Sequence, residues 1–149
     1  MALRGTYNHS VDAKGRVSLP AKFRKELPDD LTVFPVNDKD LGVALYVFSN
    51  EAFDEWIEDF FRKEDGSGYN RRSRKDIRMM HYLNSKSKDV TIDAAGRIKL
   101  DPDQCKEAHI ENKDVEIIGN LDHIEIWDKQ IHEDFLAADE QPFEPFLED

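Results

Sequence analysis

Apolar and polar positions alternate with a period of two along eight short stretches of the chain, which is the signature of half-buried strands. In the first half these fall at Thr6–Asn8, Arg16–Leu19, Leu31–Val36 and Val43–Phe48, with Pro35 predicting at best an edge strand for the third. In the second half they fall at Asp89–Ile92, Arg97–Leu100, Val115–Gly119 and His123–Trp127. Elsewhere the period changes to that of a helix. Phe53, Trp56, Ile57, Phe60 and Phe61 form an i, i+3, i+4, i+7, i+8 stripe on a helix capped by Ser49 or Asn50 and running to about residue 63. A second helix is predicted from about Arg71 to Asn84, basic at its start and burying Ile77, Met80 and Leu83. A third follows Asp128 and presents Ile131 and Phe135. Asp101-Pro102 starts a short helix that carries Cys105 as a small buried residue. Glu64 to Gly68 reads as a loop, and residues 139–149, with two prolines and five acids, as a disordered tail.

The pattern repeats. Asp12-Ala13-Lys14-Gly15-Arg16 returns as Asp93-Ala94-Ala95-Gly96-Arg97, 81 positions later (93 − 12), each followed by an alternating run that ends at a leucine. Leu45-Tyr46-Val47-Phe48-Ser49 answers to Ile124-Glu125-Ile126-Trp127-Asp128 at a spacing of 79 (124 − 45). Each half therefore reads as turn, strand, short helix, strand, strand, helix. At about 75 residues, neither half can bury much core alone, so intertwined halves are expected, with the eight strands forming a small barrel in an α+β fold.

Charge changes what the two copies can do. The 149 residues carry a net charge of −11, unfavourable on average for a nucleic-acid binder. Residues 1–25, however, hold six Lys/Arg against one acid, and residues 101–149 hold three against sixteen. An Asp-x-x-Gly-Arg turn has a purely structural use, because glycine takes positive φ and the Asp and Arg close an ion pair across the hairpin. The first copy can also offer Lys14 and Arg16, supported by Arg4, Lys22 and Arg24, to phosphates and base edges. Charge segregation favours DNA contact for the first turn and bracing for the second, where Ala95 replaces Lys14.

Other chemistry finds little support. Cys105 is the only cysteine, and His9, His81, His109, His123 and His132 lack the spacing of metal ligands. No phosphate loop or nucleophile elbow is present, and only the His123-x-Glu125 pair would serve a small hydrolase. The basic run Arg71–Arg78 reads as a solvated helix face before it reads as a second DNA contact. No apolar run approaches the ~18 residues of a membrane span. The expectation is a cytoplasmic protein without cofactor, metal or enzymatic activity.

The paired turns, Arg4-Gly5 before the first strand, Gly-Arg-Val-Ser-Leu-Pro at 15–20 and Ile-Glu-Ile-Trp-Asp at 124–128 resemble the MraZ family. These are bacterial transcriptional regulators at the head of the division and cell-wall gene cluster, related to the AbrB-like swapped-hairpin DNA-binding domains. The resemblance covers about residues 1–138. It implies a tandem AbrB-like swapped-hairpin barrel, with a first repeat and two helices at 1–84, a second repeat at 85–138 and the acidic tail at 139–149. It further implies a homo-oligomeric ring, associated with the nucleoid, that binds short direct repeats in double-stranded promoter DNA. The DNA-binding set that it suggests is Arg16, Lys14, Arg4, Asp12 and Gly15, with Asp93, Gly96 and Arg97 as a structural turn. An antitoxin-like interaction module of the same broad fold, acting through its acidic C-terminal segment, is the alternative.

Overall fold

A computed structural model describes residues 2–110 and 114–138; the tail expected at 139–149 lies outside them. The order of elements is β1 (Leu3–Ser10), β2 (Arg16–Ser18), α1 (Ala21–Arg24), β3 (Asp30–Asp38), β4 (Gly42–Ser49), α2 (Asn50–Phe61) and α3 (Arg74–Lys86), then β5 (Lys88–Thr91), β6 (Arg97–Lys99), α4 (Pro102–Glu107), β7 (Asp114–Leu121), β8 (His123–Asp128) and α5 (Lys129–Ala137). Apart from α3, the second half repeats the first. Polar side chains set the helix starts: Ser49 accepts from the Ala52 amide, Asp101 from Asp103 and Gln104, and Asp128 from Ile131.

Six strands form one antiparallel sheet in the order β1-β7-β8-β4-β3-β5, and β2 pairs with β6 in a separate ribbon. The order is pseudo-symmetric about the β4–β8 seam, where Val47 faces Ile124 and Leu45 faces Ile126, the same positions that the 79-residue spacing matches. Each half closes its own hairpin and hands its first strand to the other. Thus β1 lies on β7 with Leu3 opposite Leu121, and β5 lies on β3 with Asp30 opposite Thr91.

Two apolar clusters hold the layers. On one face of the sheet, Val17 and Ile98 of the ribbon, Phe23 of α1, and Leu100 and Ala108 around α4 pack on Leu31, Val33, Leu45, Val47, Ile117, Ile124 and Ile126. Burial of each large aliphatic side chain stabilises by about 1.5–3 kcal/mol. On the other face Phe34 and Phe48 meet Phe53, Ile57 and Phe61 of α2 and Leu83 of α3. The second half has no counterpart of α3 among the described residues, and α5 covers its outer face through Trp127 stacked near His132 and Phe135.

The structure departs from the sequence expectations at definite places. The sheet is not closed into a barrel, because the three-residue β2 and β6 pair with each other and leave β1 and β5 as free edges. Strand β3 is internal over Asp30–Val33 and becomes an edge only beyond the end of β5, which is where Pro35 sits. Gln104 reaches that point from α4, its Nε2 donating to the carbonyls of Val33 and Lys86. Ile77 is 45% exposed and Phe60 50% exposed, since α3 and the end of α2 each turn a flank of their apolar stripe outward. Buried in their place on α3 is Asp76, which accepts from Lys63 Nζ and the Asn70 amide. Cys105 is half-buried rather than buried.

Candidate nucleic-acid interface

Both Asp-x-x-Gly-Arg turns are built the same way. Asp12 Oδ1 accepts from the amides of Lys14 (2.9 Å) and Arg16 (2.8 Å), while Oδ2 accepts from Arg16 Nε (2.8 Å). Asp93 repeats this with Ala95 (2.9 Å), Arg97 (2.9 Å) and Arg97 Nε (3.0 Å). The glycines have φ of +80° at Gly15 and +79° at Gly96, a conformation open to glycine at little cost. In each turn the carboxylate is held below its ordinary pKa, first by the arginine's backbone N–H and then by its side chain. The arrangement explains the motif: Asp orders the loop and fixes Arg through Nε, leaving its Nη groups without a protein partner among the described residues. Asp12 is therefore occupied in positioning Arg16.

The turns sit at opposite ends of one ribbon. In the pairing of β2 with β6, Arg16 stands opposite Lys99, Val17 opposite Ile98 and Ser18 opposite Arg97. The ribbon is extended by Leu19 N–H to Gly96 O (2.9 Å) and Leu100 N–H to Gly15 O (2.8 Å). Val17 and Ile98 point into the core, so alternation places Arg16, Lys99, Ser18 and Arg97 on the outward face. The arginine side chains are equally accessible, 30% for Arg16 and 32% for Arg97.

What surrounds the two turns differs. Arg24 lies across Gly96: a Cβ on that glycine would collide with the Arg24 guanidinium, and Arg24 Nε donates to Leu19 O (3.1 Å). The residue 81 positions after Arg24 is Cys105, and beside Gly15 the corresponding space is open. It forms an open concavity of about 610 Å3 lined by Asp12, Lys14, Gly15, Lys99, Cys105 and Lys106, among others. Burial, then the Asp101 charge, raises the Cys105 thiol pKa, so the thiol is not activated.

The grouping of cations by sequence segment is thereby corrected. Arg24, assigned from the sequence to the first turn, belongs to the second. Lys22 is turned elsewhere too, its Nζ 3.4 Å from Arg4 O, and Arg4 lies near the start of β1, about 20 Å of extended strand from that strand's end at Ser10. Lys99 and Lys106, which sequence reasoning passed over, stand at the first turn. Only strand exchange reveals them, although the match of Lys99 to Ser18 in the repeat was a visible difference.

The His123–Glu125 pair forms a second polar constellation on the opposite face of the sheet. Glu125 accepts from Asn120 Nδ2 (2.8 Å) and Trp127 Nε1 (2.8 Å) and lies 2.9 Å from His123 Nε2; His123 Nδ1 lies 2.8 Å from Asp122. His123 also stacks on Tyr46 and Phe48. Burial opposes charge on both groups, but their hydrogen bonds to each other and to Asp122, Asn120 and Trp127 outweigh it, raising the pKa of His123 and lowering that of Glu125. Burial, then the Glu125 charge, pushes the Tyr46 phenol well up. This is a satisfied network under the α2 and α5 layer, with no serine or cysteine nucleophile among its hydrogen-bonding partners. No helix among the described residues is long and apolar enough to cross a membrane.

Comparison with known proteins matches this architecture. A family model described as "MraZ protein, putative antitoxin-like" matches residues 2–65 and again 84–147, so the second match runs past α5 into the acidic segment. A protein named transcriptional regulator MraZ from Spiroplasma kunkelii is 36% identical over 137 residues, covering 91% of this chain and 88% of that one. The protein of the same name from Mycoplasmoides gallisepticum is 31% identical over 144 residues, 97% of this chain and 94% of its own. That from Alkaliphilus metalliredigens is 37% identical over 125 residues, 83% and 78%.

Proposed function

The chain belongs to the MraZ family, and from that premise we propose that it is a sequence-specific DNA-binding transcriptional regulator rather than an enzyme. One observation carries the reading: a short antiparallel ribbon presents Arg16, Lys99 and Arg97 outward, both arginines tied by Nε to their aspartates and without a hydrogen-bond partner for their Nη groups among the described residues. A two-stranded ribbon fits the major groove of B-DNA, and a guanidinium held in this way can pair with the O6 and N7 acceptors of guanine. Arg16 reads a base edge, Lys14 contacts phosphate, Asp12 and Gly15 shape the loop, and Arg4 is at most a peripheral phosphate contact. Asp93, Gly96 and Arg97 form the braced second turn.

One ribbon per chain makes a small interface, so specificity requires several chains on neighbouring sites, which act through effective concentration. The protein is accordingly a homo-oligomer, in the form of a ring, that binds short direct repeats in the promoter of the division and cell-wall cluster. Residues 1–84 and 85–138 are repeat units, not separately folding domains. The test is to map by footprinting the repeat that the protein protects upstream of its own gene, then to measure binding to duplexes carrying one, two or four copies of it, together with the mass of the free protein. Steeply rising affinity with copy number and a mass of several chains are expected. A monomer at micromolar concentration, or equal affinity for one copy and four, overturns the oligomer. Loss of the main activity on truncation after Ala138, with DNA binding unchanged, would favour the antitoxin-like reading.

A further inference from the structure

We propose that the second repeat completes the DNA contact of the first turn: Lys99 and Lys106 act with Lys14 as a phosphate clamp on the backbone of the duplex whose base edge Arg16 reads. The inference rests on the DNA-binding reading above and goes beyond it, since it names the residues that hold the strand in register. Lys99 is the cross-strand partner of Arg16 on the outward face of the ribbon, in a pair whose Cα atoms lie about 5 Å apart. Lys106, exposed on α4, lines the same concavity as Lys14. No carboxylate pairs with Lys14, Lys99 or Lys106 among the described residues. Asp12, the one acid among the described residues that line the concavity, is consumed by Arg16 and two backbone amides.

The second turn supplies the contrast. Its counterparts of Lys14 and Lys99 are Ala95 and Ser18, and the guanidinium of Arg24 fills the space that stays open beside Gly15. A concavity of about 610 Å3 with cations around it and apolar Val11, Leu100 and Ile110 in its lining can admit a phosphodiester; the second turn is plugged by Arg24. Phosphate contacts position a protein on DNA without reading sequence, so the clamp and Arg16 have separable signatures.

The experiment measures the affinity of the full-length protein as a function of salt, on the duplex immediately upstream of its own gene and on a scrambled duplex of equal length. The variants are Lys99→Gln, Lys106→Gln, the double variant, Lys25→Gln as the counterpart of Lys106 at the second turn, and Arg16→Ala, each checked by its melting curve. Each lysine neutralised is expected to lower the slope of log affinity against log salt by about 0.9 in every bound subunit, on both duplexes alike, because one phosphate fewer sheds its counterion. Lys25→Gln should leave the slope unchanged. Unchanged slopes for Lys99→Gln and Lys106→Gln, with Arg16→Ala still losing specificity, overturn the clamp and spare the DNA reading. Equal binding of both duplexes by wild type and Arg16→Ala overturns both.

Discussion

The two Asp-x-x-Gly-Arg turns share their hydrogen bonds to within about 0.2 Å, yet one is capped by an arginine from the opposite repeat and the other opens on a lysine-rimmed concavity. Identical local geometry therefore does not make the two sites equivalent. The difference arises one layer out, at the helix that follows the ribbon, where position 24 carries a long cation and position 105 a small thiol. A motif fixes how its own arginine is held; its neighbours, borrowed across the pseudo-dyad, fix what that arginine can meet.

The sharpest way to break the comparison is to remove each arginine in turn. Arg16→Ala is expected to abolish specific binding, at about 1–3 kcal/mol per base contact multiplied over the engaged subunits, while melting stays close to wild type. Arg97→Ala should keep most of the binding and lower stability only slightly, since it loses a part-exposed ion pair while two backbone bonds still hold Asp93. Equal loss of binding by the two variants in a titration with the upstream duplex would make the turns functional equals.

The glycines come next. Alanine at either position meets positive φ, at about 1–2 kcal/mol. Gly96→Ala must also expel Arg24, whereas Gly15→Ala meets only Leu100 O at 3.5 Å. Chemical denaturation should therefore show the larger loss at Gly96, and the double variant Gly96→Ala/Arg24→Ala should be less destabilised than the sum of the singles. Strict additivity would mean that Arg24 does not cap the turn.

A smaller effect tests the asymmetry at the seam, where Tyr46 of the first repeat faces Glu125 of the second. His123 has a raised pKa, so its contribution is fully present below the unfolded value near 6.5 and is lost as pH rises through the folded value. Glu125 has a lowered pKa, so its contribution is present above about 4.5 and fades as pH falls through the folded value. Melting temperature against pH should show this pair helping most between those limits, and His123→Gln should flatten the alkaline decline. An unchanged profile in the variant would remove His123 as its source.

The smallest expected effect is on the thiol. Cys105 should react slowly with maleimide at neutral pH, because its pKa is raised and its side chain is partly buried, and bound duplex should slow it further by occupying the concavity. No protection by DNA would place the duplex elsewhere.

Much of this was legible in the sequence because it is local. The turns, the caps at Ser49, Asp101 and Asp128 and most strand positions follow from residues within a few places of one another. Partners distant in the chain were not legible. Charge counted along residues 1–25 gave Arg24 to the wrong turn, since the chain does not show that α1 packs against the ribbon end formed by Gly96. A periodicity also reports that a helix has an apolar face but not its width, which is why Ile77 and Phe60 lie partly in solvent. The barrel was inferred from strand number, and the sheet stays open because two of the eight strands, β2 and β6, pair with each other instead of with it.

The exchange of first strands has a consequence for the order in which the molecule can be made. Leu3 pairs with Leu121, and Arg16 with Lys99, so the N-terminal strand and its turn find their partners only after most of the chain has left the ribosome. At about 5–20 residues per second, the first strand waits for several seconds with its edge unpaired. Pairings of such sequence separation also close slowly. A chain that stops before Arg97 therefore lacks the ribbon altogether, and such a truncated product of translation cannot compete with the finished protein for its binding site.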